Sequence, residues 1–363
     1  MPPIRTVTTA CVALTLLATS TGTAAAHTDP QREAVQQQVN AAVAGGAAGM
    51  QIRVTRDGRE FTVRAGVAEL GTQRPVPLDG RFRAGSITKT FASVVTLQLT
   101  AEGKLGLDEP VSRYLPGLLP DGERITVRNL LQHTSGLHNY TDDLPRDPKE
   151  FVARRFEHHS ALELVRGAAK KPLVFPVGTK HSYSNTNFLV VQLLIEQVTG
   201  RPWAAAVYQR ILHPLRLRDT EAPVDNPFIH GPHAHGYLMV EGKPVDITEM
   251  NPSRAGATGA MISTTADLDR FLRALLAGRL LAPAQQAELT KVTAVSPAYG
   301  LGFFPVPTSC GITVWGHGGG LPGYLSMMVG SADGSRRVEA SVTIGTGVDQ
   351  QALRKSVDTA VCA

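Results

Sequence analysis

Charge, cysteine and long apolar runs are all sparse in this sequence, and each scarcity excludes something. Charged residues make up only 18% of the 363 positions, and the basic ones come in isolated pairs such as Arg154-Arg155, Lys170-Lys171 and Arg336-Arg337. That leaves no stripe of cations to follow a phosphate backbone, so no nucleic-acid partner is expected. After the first residues no window is long and apolar enough to span a bilayer, so no membrane span is expected in the mature chain. Glycine (35) and proline (24) are frequent but follow no period, which excludes collagen-like and solenoid architectures. With 42% hydrophobic residues the chain can bury one large core or two closely packed subdomains, so disorder is excluded as well.

The opening stretch, MPPIRTVTTACVALTLLATSTGTAAA, joins a cation at Arg5 to an apolar run from Ala10 to Ala18 and a small-residue end. Ala24 and Ala26 fit an A-x-A rule, which predicts a signal peptide over residues 1–26, cleavage after Ala26 and a secreted protein. Cleavage removes Cys11 and leaves Cys310 and Cys362 in an oxidising compartment. These two are expected to pair, tying a C-terminal helix to a strand of the core.

Asp29-Pro30 reads as a helix start, followed by Val35, Val39 and Val43 at helical spacing. Alternation in Met50-Ile52-Val54 and again in Phe61-Val63, around Asp57-Gly58, predicts an antiparallel hairpin. A buried helix is expected from Ser86 to Glu102, closed by Gly103. Residues 106–235 carry mostly helical periodicity, and the last third changes to strands around 312–315, 324–329 and 338–344 with a final helix near 350–361. The expected fold class is therefore α+β: segments 27–105 and 236–363 build one antiparallel sheet flanked by helices, and 106–235 is an inserted helical subdomain.

Chemistry begins at Gly85-Ser86-Ile87-Thr88-Lys89, the only S-x-x-K in the chain. A lysine three residues on shares a helix face with the serine, and an amine kept neutral by burial can take the hydroxyl proton. Taken alone, the same residues fit a helix cap beside a solvated lysine. Tyr183-Ser184-Asn185 is the only Y-x-N, offering a phenol to move a proton and an amide to hold a carbonyl; a packed tyrosine beside a capping asparagine is the plainer alternative. Gly316-His317-Gly318-Gly319-Gly320 is expected to follow a strand at 312–315, with glycines that let a substrate backbone approach and His317 in the proton network.

In this order the three boxes resemble the penicillin-recognising serine hydrolases, in which S-x-x-K carries the nucleophile. The segments FRAGSITKTFASVVTLQLTAEGKLGLDEPVSRYLPGLLP, ITVRNLLQHTSGLHNYT, HSYSNTNFLVVQLLIEQVTG, GAMISTTADLDRFLRALLAGRL and YGLGFF are similar to one branch. That branch holds secreted D-alanyl-D-alanine carboxypeptidases, above all the exported actinobacterial ones, class C β-lactamases and related esterases. The resemblance implies the β-lactamase/DD-peptidase fold with its active site in the cleft between the two subdomains, peptidyl-D-Ala-D-Ala substrates, acylation by β-lactams, and no cofactor or metal. It implies Ser86 as acylated nucleophile, Lys89 as its proton partner, Tyr183 as general acid/base and Asn185 as ligand of the substrate amide. His317 becomes the cation or donor of the third box, Gly318 and Gly319 line the substrate, and the Ser86 and Gly320 amides form the oxyanion hole.

One departure matters. Gly318 stands where the carboxypeptidases usually carry a threonine whose hydroxyl helps hold the substrate carboxylate, so an esterase, amidase or β-lactamase is a rival reading, with a non-turnover penicillin sensor behind it. Arg254, in Asn251-Pro252-Ser253-Arg254, is a candidate replacement for that contact if it faces the cleft. His317-Gly318-Gly319-Gly320 is not a lipase oxyanion motif, because the chain has no G-x-S-x-G. His230, His233 and His235 lack a Glu or Cys at metal-ligand spacing and read as a surface loop, as does the solvated pair His158-His159.

Overall fold

Helix α1 (Pro30–Ala44) starts where the residue types place it: the Asp29 carboxylate accepts from the Gln31 amide at 3.0 Å, and Pro30 fills a first-turn position that needs no N–H. The computed structural model describes residues 1–4, 6, 29–347 and 350–363. Most of the expected signal peptide, with the cleavage site after Ala26, lies outside the described residues. Strands β1 (Ala47–Arg56) and β2 (Arg59–Gly66) form the expected hairpin. Asp57 (φ 49°) and Gly58 (φ 81°) both take positive φ, the turn whose twist matches that of paired strands.

The short β3 (Phe82–Arg83) leads to α2 (Thr88–Ala101), and then come α3 (Val127–Leu131), α4 (Pro148–Arg154), α5 (Ala161–Ala169), α6 (Thr186–Thr199), α7 (Trp203–Val207) and α8 (His213–Leu215). A hairpin of β4 (Tyr237–Val240) and β5 (Lys243–Asp246), β6 (Ile262–Ser263), α9 (Thr265–Leu276) and α10 (Pro283–Leu289) follow. The chain ends with β7 (Phe304–Pro307), β8 (Thr313–Leu321), β9 (Tyr324–Ser331), β10 (Arg336–Ile344) and α11 (Gln350–Cys362).

Six strands form one antiparallel sheet in the order β2-β1-β10-β9-β8-β7, so the first hairpin is joined to the last meander through β1 and β10. Alternation gives the sheet two faces. On one, Met50, Ile52, Val54, Val338, Ala340 and Val342 are buried against α1 and against Leu353 and Val357 of α11. Each such aliphatic side chain contributes about 1.5–3 kcal/mol on burial, enough to hold both helices on the sheet. On the other face, Thr55 (3.1 Å) and Arg337 (2.7 Å) donate to Asp269 of α9. Phe271 of α9 stacks on Phe91 of α2 with ring centroids 3.7 Å apart. Nearly every side chain of α2 is buried, and α6 packs beside it, so α2 is a central post between the sheet and the helical segment.

Three expectations are corrected in detail. The helix predicted from Ser86 begins instead with a 3-10 turn, Gly85–Ile87, which flows into α2. The glycine box does not follow the strand but belongs to it: Gly316 to Gly320 lie within β8, paired with β9. A Cβ on Gly316 would stand 1.8 Å from the Met328 carbonyl oxygen, so the glycines permit close strand contact rather than ending it. Cys310 and Cys362 are bonded, with Cα atoms 5.7 Å apart, but Cys310 sits in the turn between β7 and β8, so the bond fastens the end of α11 to that turn. Among the described residues no helix is long and apolar enough to cross a membrane.

Candidate active site

Gly85 takes φ 55°, and a Cβ there would stand 2.7 Å from the Gly320 amide nitrogen. Only glycine lets β8 come this close to the turn that presents Ser86. Ser326 of β9 fixes the entry to the turn by donating to the Ala84 carbonyl at 2.8 Å. Lys89, one helical turn on, then lies with its Nζ 3.0 Å from Ser86 Oγ.

Lys89 is fully buried, and burial holds its pKa well below that of a free lysine. Its Nζ donates to Asn185 Oδ1 at 2.9 Å and to the Thr258 carbonyl at 2.7 Å. A neutral amine has two hydrogens, which these acceptors take, and its lone pair is left for the Ser86 hydroxyl. That is the geometry of a general base. The Tyr183 hydroxyl donates to the same Ser86 Oγ at 3.0 Å. Although 38% of Tyr183 faces solvent, desolvation of its phenol raises the pKa above the usual tyrosine value, so it carries its proton at neutral pH.

The loop that carries Tyr183 and Asn185 is shaped by a second loop, residues 133–141. The His133 carbonyl accepts from the Ser182 amide at 3.0 Å, and His133 Nδ1 accepts from Asn187 Nδ2 at 3.0 Å. Ser135 donates to Asn187 Oδ1 at 2.6 Å, and Asn139 Oδ1 accepts from the Asn185 amide at 2.9 Å. The His133 ring lies behind that of Tyr183. This stretch carries part of the family resemblance, but no role for His133 follows from the sequence, because nothing local to HTSGL says which ring it will face.

The third box is brought to the cluster, with one change of chemistry. His317 is 3% exposed, its Nε2 accepts from the Tyr299 hydroxyl at 2.8 Å, and its Nδ1 donates to the Gly318 carbonyl at 2.5 Å. Burial and the nearby Lys89 push its pKa down to about 3. Of the two roles expected for it, cation or donor, the structure favours neither toward the cleft: His317 is a neutral imidazole with both nitrogens engaged. Strand β7 pairs with β8 only as far as Gly316, so residues 317–321 form an open edge toward which a substrate backbone can hydrogen-bond. Gly319 packs against the Ala84 carbonyl, whereas Gly318 has nothing nearer than 3.7 Å to a Cβ position.

Arg254 does not join the cluster. Its guanidinium lies over the Phe151 ring, 4.8 Å from the centroid, and its carbonyl accepts from Tyr140 at 2.7 Å. The aromatic face draws the cation away from the carboxylate role considered for it. His230, His233 and His235 engage Asn226, the Gly231 carbonyl and Asp246 respectively, and among the described residues no group of three or more His, Cys, Asp and Glu is placed to hold a metal ion.

Known proteins share this fold over most of the chain. A D-stereospecific amidohydrolase from Streptomyces superposes with a TM-score of 0.82 at 38% identity, over 89% of this chain and 97% of that one. The D-amino acid amidase from Ochrobactrum anthropi SV3, solved with L-phenylalanine amide, gives 0.81 at 26% identity, over 92% and 97%. Penicillin-binding protein 4 from Amycolatopsis lactamdurans is 29% identical over 289 residues, 76% of this chain and 73% of its own. Two further curated relatives are matched over only 57% and 61% of their length. The profile of the Beta-lactamase family matches residues 32–340. That match runs from α1 into β10, and on its extent the chain belongs to the Beta-lactamase family, as a serine hydrolase.

Proposed function

We propose that this protein is an amidohydrolase for D-configured substrates whose carboxyl end is uncharged, such as amides and esters. The observation that carries the reading is the missing cation. Lys89 is occupied at Ser86, His317 is neutral, and Arg254 lies on Phe151, so no charged partner for a free carboxylate touches the cluster among the described residues. The D preference rests on similarity to the Streptomyces amidohydrolase and the Ochrobactrum amidase.

In this reading Ser86 Oγ attacks the carbonyl carbon while its proton passes to Lys89. The Ser86 and Gly320 amides receive the developing oxyanion, and Asn185 and the open edge of β8 at Gly318 and Gly319 hold the substrate backbone. Tyr183 gives its proton to the leaving nitrogen, and its phenolate is balanced by the Lys89 ammonium beside it. Water then loses a proton to that phenolate and attacks the ester, and Lys89 returns its proton to Ser86.

D-alanyl-D-alanine carboxypeptidase activity with acylation by β-lactams is the second reading, supported by similarity to a penicillin-binding protein. Secretion belongs to the proposal too, and the Cys310–Cys362 bond supports an oxidising destination. The deciding experiment measures kcat/KM on D- and L-amino acid amides, on acyl-D-Ala-D-Ala, and on its C-terminal amide and methyl ester. D-amides should exceed L-amides by about 100-fold, and the peptide amide should exceed the free acid. Faster cleavage of the free acid returns the carboxypeptidase. N-terminal sequencing of protein from the culture medium tests export, with His27 expected first.

A further inference from the structure

The loop after α10 carries a buried tyrosine that the proposed mechanism does not use. Tyr299 is 5% exposed, and its hydroxyl meets His317 Nε2 at 2.8 Å. The loop is fixed on several sides. Ser296 donates to the Tyr299 carbonyl at 2.8 Å, the Leu301 amide to Leu289 at 3.0 Å and the Gly302 amide to Leu131 at 3.1 Å. Thr90 of α2 donates to the Gly302 carbonyl at 2.8 Å. The ring is held edge-on to His133 at 4.9 Å and stacked on Phe304 at 5.5 Å.

A phenol hydroxyl carries a single hydrogen, and with His317 Nε2 as acceptor that hydrogen points at the imidazole. The imidazole hydrogen is then on Nδ1, where the Gly318 carbonyl takes it. Both ring nitrogens are thus committed inside the protein, at the place where the open edge of β8 begins. We infer that Tyr299 is a specificity-determining positioning residue: by donating to His317 it fixes which nitrogen of the buried ring carries hydrogen and leaves the ring no free donor, so this wall of the cleft rejects a leaving group that ends in a carboxylate.

The inference rests on the amidohydrolase reading and names the device behind its preference for uncharged ends. The groups facing His317 agree with it. Tyr299 comes from the loop, Phe304 from β7 and Lys89 from α2, with His133, His181 and Tyr183 behind Tyr299. Among the described residues no carboxylate acts on the ring to favour a cation, and burial and Lys89 oppose one.

Tyr299→Phe keeps the ring and removes the hydroxyl, so nothing holds the hydrogen off Nε2 and the still neutral ring is free to change tautomer or turn and present an N–H to the cleft. The test compares kcat/KM for acyl-D-Ala-D-Ala and its C-terminal amide, in wild type and variant, from about pH 5 to pH 8. In wild type the acid-to-amide ratio should be low and nearly independent of pH. In Tyr299→Phe it should rise about fivefold or more across that range, mainly through a lower KM for the acid, as an imidazole N–H released from its fixed partners donates to the carboxylate. Adding His317→Leu, which has no donor, should cancel the gain. A ratio that stays unchanged, or a gain that survives His317→Leu, overturns the inference. Should the variant fold poorly, nitrogen-15 NMR of wild-type histidines at pH 7 decides instead: hydrogen on Nδ1 alone is expected for His317, and hydrogen on Nε2 or on both overturns it. Failure of wild type to cleave any D-amide or ester would sink the amidohydrolase reading, while the NMR result would still report on His317.

Discussion

The rings of His133 and Tyr183 lie 4.2 Å apart at an interplanar angle of 34°, so the phenol that reaches Ser86 rests against a histidine with no exposed surface. His133 is itself kept neutral by burial and by Lys89, which lower its pKa well below the usual value. Replacing it with alanine removes both the ring contact and the acceptor for Asn187. The expected result is a loss of about 10- to 100-fold in kcat with a smaller change in KM, since misplacing a proton donor harms the transition state more than binding. His133→Phe restores the ring alone and should recover part of the rate; equal rates for the two variants would show that stacking is immaterial.

Ser86→Ala should abolish turnover of D-amides and esters and leave no acyl adduct by intact-mass analysis, whereas wild type gains one acyl group from an activated ester. Tyr183→Phe should still bind substrate but lose about 100-fold or more in kcat on amides, whose poor leaving group needs the proton. An adduct on Ser86→Ala, or normal amide turnover in Tyr183→Phe, would reassign these residues.

Burying Lys89 also shapes stability. Its folded pKa lies well below the unfolded one, near 10.5, so between the two the unfolded chain binds the extra proton and stability rises with pH. Relative to Lys89→Met, wild type should gain stability from pH 7 to pH 10 with a slope of at most about 1.4 kcal/mol per pH unit. Paired denaturant titrations check it, and a difference that is flat or falls with pH would mean the lysine is charged in the fold.

The first two boxes were legible because their spacing along the chain is the spacing of the chemistry: Ser86 and Lys89 share a helical turn, and Tyr183 and Asn185 share a loop. The terminal hairpin, the meander and the sheet they build were legible from alternation. What was not legible depended on partners distant in sequence. The charge of His317 is set by burial and its hydrogen bonding by Tyr299, the direction of Arg254 by Phe151, and the importance of His133 by a ring fifty positions away. The strand was expected to end before the glycine box because glycine is rare in strands, and the close neighbours of the box on β9 and at Ala84 became visible only in three dimensions.

Those neighbours distinguish adjacent glycines. A Cβ on Gly319 would stand 2.0 Å from the Ala84 carbonyl oxygen, whereas one on Gly318 meets nothing within 3.7 Å. Gly319→Ala should cost about 2 kcal/mol or more and displace the Ser86 turn, and Gly318→Ala should cost under about 1 kcal/mol. Thermal melts beside activity measurements decide it; equal costs would contradict the strand placement.

The Cys310–Cys362 bond closes a segment with a sequence separation of 52. By the chain-entropy argument, removing it through a Cys310→Ser, Cys362→Ser pair should lower stability by about 2–4 kcal/mol while leaving kcat nearly unchanged, since the bond lies outside the catalytic cluster. Urea midpoints measure the first and steady-state kinetics the second. A large loss of kcat at intact stability would place α11 in communication with the site.

The pairing of β1 with β10 has a further consequence for how the molecule is made. Gly49 and Thr343 are register partners, and the Thr343 hydroxyl donates to the Gly49 carbonyl across 294 positions of sequence. Until the ribosome has produced β10, the inner edge of β1 has no strand to pair with, and the first hairpin must wait as an unfinished half-sheet. Such long-range closure is slow, and it favours nascent chains that are kept apart until synthesis has passed that strand. A chain truncated before β10 should therefore be prone to aggregate rather than persist as a smaller folded unit.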